Sequence, residues 1–188
     1  MRKSRALNER VDGIPQERGG DEHILLGVKS DPERIYKTTF GDNLGCYSRF
    51  WPSDPELTGK HFHAEGNANP FLYLKRWLYL NAISEFQTRY EGILPPQHEG
   101  HLPLICISQP MLRVDNPTRR EIEAAFRRYK YFKISEDAFL NPENKVLLTD
   151  AAPRNIRVID GAPVPFDAIA ERASEKIVTW ATSQGRIQ

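Results

Sequence analysis

The apolar residues of this chain come only in short runs. The longest, such as Leu102 to Ile107, fall far short of the roughly 20 residues that a bilayer-spanning helix requires. No membrane partner is therefore expected. Runs of this length suit the short strands and helices of a modest core, and 188 residues allow one globular domain or two small lobes sharing a cleft. With 26 Lys+Arg against 25 Asp+Glu, the formal net charge of +1 creates no whole-molecule field to gather nucleic acid or lipid headgroups. A nucleic-acid partner is not expected, and partners must be argued from individual sites. The basic start MRKSR is followed by polar sequence instead of an apolar h-region, and Cys46 and Cys106 lack metal-ligand spacing. A reducing cytoplasm is the expected setting.

Residues 1–21 are charged, rich in Gly and Pro and without apolar periodicity, which predicts a flexible N-terminal arm. A single domain is expected over 22–182, with a frayed end at 183–188. The runs "HILLGV" and "RIYKTTF", separated by "KSDPE", predict a β-hairpin with Lys37 on the opposite phase to Tyr36 and Thr38. The stretch Gly41 to Pro70 shows no settled period and is assigned as a long loop, a class of segment often used for binding. A helix is expected in "PFLYLKRWLYLNAISEFQTRY", with Leu74, Trp77, Leu78, Ile83 and Phe86 on its apolar face. "LPLICIS" reads as a buried strand ending near Pro110. "NPTRREIEAAFRRYKYF" reads as a second helix, with Thr118 and Glu121 at capping-box spacing and its arginines on a solvated side. "KVLLTD", "NIRVID" and "APVPFDAIA" read as short strands around a hairpin, and Ala168 to Ala181 as a terminal helix.

Chemistry concentrates in "LLTDAAPRNIRVIDGAPVPFDAI". Asp150 ends a buried strand, Asn155 opens the next, and a turn at Gly161 can fold Asp167 back beside Asn155. Two carboxylates and an amide supply hard oxygen ligands for Mg²⁺, with one carboxylate left to orient a hydroxyl nucleophile. Phosphoryl transfer also needs positive charge on the nucleotide phosphates. Lys37, central in an apolar strand, is the candidate, because a lysine there must reach a cleft or lose its hydration.

At these residues the sequence resembles the eukaryotic-like protein kinase superfamily, and more closely the minimal kinase-like domains of polyvalent proteins from phages and mobile elements. The resemblance rests on "RIYK", "YLKRWLYLN", "YEGI", "LICISQP" and "TDAAPRNIRVIDGAPVPFDAI", and covers roughly Gly20 to Ala170. It implies an α+β, reduced two-lobe protein-kinase-like fold. A small antiparallel-sheet N-lobe with a connecting helix would occupy about 22–108, and a truncated C-lobe about 109–182. Asp150 would be the catalytic aspartate, Asn155 and Asp167 the Mg²⁺ ligands and Lys37 the contact to the ATP phosphates. Gln109 and its neighbours would form the hinge against the adenine edge.

The sequence departs from the family at several points. No G-x-G-x-x-G precedes Lys37, Leu148 and Thr149 stand before Asp150 where a histidine–arginine pair is usual, and Ala168 follows Asp167. Either Glu22 or Glu85 could pair with the lysine. With so few residues after Asp167, the helical subdomain that binds protein substrates in full kinases is not expected. The implied activity is an ATP- and Mg²⁺-dependent phosphotransferase of unspecified acceptor. The alternative is a non-catalytic, pseudokinase-like module that binds a protein partner through the Gly41–Pro70 loop or the Arg-rich helix.

The remaining signals have two readings each. His61, His63 and Glu65 could line one face of a strand and hold a metal, or be surface residues of a loop. His98 and His101 flank a turn. Trp51, Trp77 and Trp180 read as packing anchors, and Cys106 as an inert buried thiol.

Overall fold

A computed structural model describes residues 15–19, 22–26, 28, 30–40, 42, 44–53, 58–66, 68–96 and 98–187. Among these, the fold is mixed α+β, with several antiparallel sheets and three helices. The chain divides into two compact units. One comprises Met1–Cys46, Gly66–Tyr73 and Phe86–Arg113; the other comprises Tyr47–Glu65, Leu74–Glu85 and Val114–Gln188.

The first unit is built on a five-stranded antiparallel sheet. Its strands are β1 (Pro15–Gly19), β2 (His23–Leu26), β3 (Arg34–Thr39), β6 (Arg89–Leu94) and β7 (Leu104–Pro110), in the order β1-β2-β3-β7-β6. The β2–β3 hairpin pairs Leu25 with Lys37 and Leu26 with Tyr36. Strand alternation then sends Tyr36 into a cluster with Val28 and Cys106, joined by Leu26 and Leu94, and puts Lys37 on the other face. Two elements differ from expectation. Strand β1 lies inside the segment read as an arm, whose residues 1–14, 20 and 21 are outside the described ones. Strand β6 occupies the end of the expected long helix. Strand β7 is buried on both faces and takes a neighbour on each edge, and β6 supplies the second through a bulge between Tyr90 and Gly92, where Gly92 holds φ +146.

Helix α1 (Pro70–Ile83) begins at Pro70, where a missing N–H is tolerated. It buries Tyr73, Arg76, Trp77, Leu80 and Ile83, at helical spacing, whereas Leu78 is 68% exposed and Phe86 lies beyond the helix. The apolar face is therefore rotated from the one that Leu74, Leu78 and Phe86 suggested, with an arginine occupying one of its buried positions.

In the second unit, β13 (Ile169–Arg172), β10 (Val146–Thr149), β9 (Ala138–Asn141) and β8 (Phe132–Ser135) form a four-stranded antiparallel sheet in that order. Its pleat separates two packing faces. Leu147 and Leu140, directly paired, join Ile177 and Ala181 of α3 (Glu175–Ser183) in one cluster. Leu148 and Phe139 face the other way, where the Phe139 ring packs in a tilted arrangement against Phe126 of α2 (Arg119–Arg128) with centroids 4.7 Å apart. The Thr118–Glu121 capping box starts α2 as the spacing predicts. The expected terminal helix instead begins as strand β13, because the buried Ile169 and Ala170 pair with Thr149 and Leu148 of β10 before Ser174 opens α3. Ile187 is buried in the same cluster as α3, so the tail expected to fray is packed as far as that residue.

The Gly41–Pro70 segment contains a hairpin of β4 (Tyr47–Phe50) and β5 (Phe62–Glu65) where a loop was expected. Aromatic packing holds it: Phe50 and Phe62 stack at 5.1 Å, and Trp180 of α3 meets Phe50 edge-on at 5.1 Å. A second hairpin joins β11 (Ile156–Ile159) to β12 (Ala162–Pro165) through Asp160 and Gly161, at φ +51 and +77. Two successive positive φ values mark the Asp-Gly turn whose twist suits a two-residue hairpin. A Cβ at Gly161 would also overlap the Arg128 guanidinium.

Candidate functional site

Strand β10 delivers the chain to Asp150, which turns through a left-handed backbone conformation at φ +49. Aspartate is among the residues that accept this region with least strain. The Asn155 side-chain amide closes the loop, its Nδ2 donating to the Asp150 carbonyl at 2.8 Å and to Asp150 Oδ2 at 2.7 Å. Arg154 donates to the other carboxylate oxygen, Oδ1, at 2.6 Å. Burial raises the Asp150 carboxyl above its ordinary range and the neighbouring Asp167 adds to the rise, against the opposing pull of Arg154, Asn155 and Arg76.

The β11–β12 hairpin returns the chain so that the Asn155 carbonyl accepts from the backbone N–H groups of Phe166 and Asp167, at 3.1 and 3.3 Å. Asp150, Asn155 and Asp167 are thereby brought together within the second unit. Arg76 of α1 joins them. It is 2% exposed, donates from Nε to the Ala168 carbonyl and from its NH2 group to the Asp167 carbonyl, both at 2.8 Å, and stands 3.7 Å from Asp167 Oδ1.

Both amide protons of Asn155 go to Asp150, so Oδ1 is what this residue offers a cation. The Asp167 carboxylate is 30% exposed and lies beyond hydrogen-bond range of Arg76. Asn155 Oδ1 and the Asp167 carboxylate are hard oxygen donors, the ligand type that divalent cations such as Mg²⁺ take.

In the first unit, Lys37 is buried on β3, opposite Leu25 on one side and Ile107 on the other. Gln109 is paired with Ile35, two residues along the ladder from Lys37, so strand alternation puts it on the Lys37 face; its Nε2 donates to Thr88 at 3.0 Å. Glu22 accepts from the Cys46 backbone N–H at 2.8 Å and lies 3.8 Å from His23, which hydrogen-bonds the Tyr73 hydroxyl at 2.9 Å. Gly45 is required beside them: it holds φ +102, and a Cβ there would come within 2.6 Å of the Tyr73 ring. Glu85 is exposed just past the end of α1.

The other sequence signals resolve into packing. Glu65 binds Tyr47 and Arg49, and His61 lies 3.2 Å from the Trp51 carbonyl and against Trp180, so His61, His63 and Glu65 do not form one ligand face. His98 and His101 pack edge to face at 5.1 Å. Trp77 is buried, and burial pushes the Cys106 thiol up to about 12, consistent with an inert group. Arg119 is paired with Asp137 and Glu136, and Lys130 with Glu143. The sequence reading missed Arg76 and Arg154. Arg76 carries a signal, a charge at a buried phase of the helix, and Arg154 carries the four-residue spacing from Asp150.

No helix among the described residues is long and apolar enough to cross a membrane. Compared with protein-family models, curated proteins and solved structures, the chain matches none of them.

Proposed function

We propose that the chain is a minimal kinase-like domain, of the type carried by polyvalent proteins of phages and mobile elements, acting as an ATP- and Mg²⁺-dependent phosphotransferase in the cytoplasm. The observation that carries this reading is the meeting of Asp150, Asn155 and Asp167 around the end of β10 and the β11–β12 hairpin. Asn155 and Asp167 hold Mg²⁺, which supplies charge neutralisation on the phosphates when bound. Asp150 accepts a hydrogen bond from the attacking hydroxyl and orients it, a role that suits a carboxylate whose proton affinity burial has raised. Lys37, on the third strand of an antiparallel sheet whose last two strands follow a helix, contacts the nucleotide phosphates. Gln109 belongs to the segment that meets the adenine edge.

Calorimetry with Mg²⁺ and ATP tests the proposal. Wild type is expected to bind, and Asp167→Ala to lose most of the affinity. No binding by wild type at millimolar ligand would end it.

A second reading is favoured by one observation. Asp150 has Arg154 at 2.6 Å and Asp167 has Arg76 at 3.7 Å, so each carboxylate already faces a guanidinium, as a non-catalytic protein-binding module could tolerate. Under that reading, calorimetry shows no Mg²⁺-dependent nucleotide binding while the fold persists.

A further inference from the structure

Arg76 is the one charged side chain on the buried stripe of α1. Placing a guanidinium there is costly unless its protons are satisfied, and two of them go to successive main-chain carbonyls, those of Asp167 and Ala168, at 2.8 Å each. The same guanidinium stands 3.7 Å from Asp167 Oδ1, close enough to attract the carboxylate yet too far to hydrogen-bond it. Arg76 thus grips the backbone that carries Asp167 and not its carboxylate oxygens. We propose that Arg76 is the positioning residue of the metal site: it fixes from α1 where the Asp167 carboxylate stands. This rests on the reading of Asp167 as a metal ligand.

The planar fork is the essential feature. Nε and an NH2 group project in fixed relative directions and reach two consecutive carbonyls at once, whereas a lysine ammonium carries the same charge but is a single point. Arg76→Lys therefore separates geometry from electrostatics, because any change in cation affinity arises with the formal charge beside Asp167 unaltered.

The test is Mn²⁺ binding followed by electron paramagnetic resonance, with circular dichroism confirming that each variant is folded. Wild type is expected to bind Mn²⁺, Asp167→Asn to lose the site, and Arg76→Lys to bind at least tenfold more weakly. Wild-type affinity in Arg76→Lys, with Asp167→Asn still defective, overturns the positioning role and leaves the metal reading intact. A wild type without an Asp167-dependent Mn²⁺ site overturns both. Should Arg76→Lys not fold, the wild type carries the test through its slowly exchanging arginine Nε–H signal. Mn²⁺ is expected to broaden one such signal, and not to do so in Asp167→Asn; no broadening in wild type overturns the role.

Discussion

Asn155 gives both protons of its side-chain amide to Asp150, one to the main-chain carbonyl and one to the carboxylate. One residue thereby stabilises a left-handed turn and fixes a carboxylate. Asn155 is itself 6% exposed, so removing its side chain leaves a partly buried carboxylate and carbonyl short of donors. Asn155→Ala is expected to lower stability by about 1–3 kcal/mol, the usual cost of unsatisfying such groups, in a urea titration at pH 7. A cost near zero would mean that water replaces the amide and that Asn155 does not hold the loop.

Asp150→Asn separates stability from chemistry. Asparagine tolerates the φ +49 backbone as aspartate does, and the substitution removes the negative charge that faces Arg154, which is 69% exposed, and that Arg76 attracts more weakly. The expected loss of stability is under about 1 kcal/mol, because the Arg154 side of the pair is exposed and a neutral asparagine escapes the burial cost that raises the Asp150 carboxyl. Phosphotransfer, if Asp150 orients the hydroxyl, is expected to fall by roughly 100-fold or more. Equal activity in the two proteins, measured by ATP turnover, would remove Asp150 from the reaction.

Local rules carried the sequence reading where one element decides the outcome. The capping box of α2, the β2–β3 hairpin and the turn that returns Asp167 toward Asn155 are all set by residues within a few positions of one another. The reading weakened where distant partners decide. Phe50 and Phe62 become strand residues because Trp180, more than a hundred positions away, covers them, and nothing inside Gly41–Pro70 announces that partner. The face of α1 was misphased for a related reason: Arg76 interrupts the apolar stripe, and its carbonyl acceptors lie far along the chain at Asp167 and Ala168. Of the candidate site, the carboxylates and amide were legible because turn chemistry brings them together. The guanidiniums that face them were not.

Trp180 offers a direct check on the β4–β5 hairpin. Its ring contacts Phe50, Phe62 and His61, with centroids 5.1, 6.2 and 4.8 Å away. Trp180→Ala removes the shared partner of both strands and opens a void against the cluster around Ile177. The expected cost is about 3–5 kcal/mol, with the hairpin losing amide-exchange protection ahead of the four-stranded sheet. Trp180→Phe, which keeps an aromatic surface, is expected to retain more than half of the stability. Uniform loss of protection across the unit would show that the hairpin is no separate cooperative element.

Glu171 sets a pH dependence whose sign is fixed by its surroundings. It lies on β13 opposite Leu147, on the sheet face that α3 covers, and burial raises its carboxyl from 4.5 to about 7 despite a backbone hydrogen bond from Ser48. Ser48 is in turn bonded to Thr149, so the β4–β5 hairpin meets β10 and β13 through this polar contact. Between pH 4.5 and about 7 the folded protein holds a proton on Glu171 that the unfolded chain has released. Stability contributed by this group is therefore fully present below pH 4.5 and is lost as the pH rises through 7. The shift corresponds to a loss of roughly 2–3 kcal/mol across that window. Glu171→Gln keeps the shape and cannot ionise. The stability difference between wild type and Glu171→Gln, measured by urea denaturation at pH 5 and pH 8, is expected to move against wild type by that amount. A difference independent of pH would show that Glu171 is ionised in the folded protein at both values, with the Ser48 N–H sufficient to hold its charge.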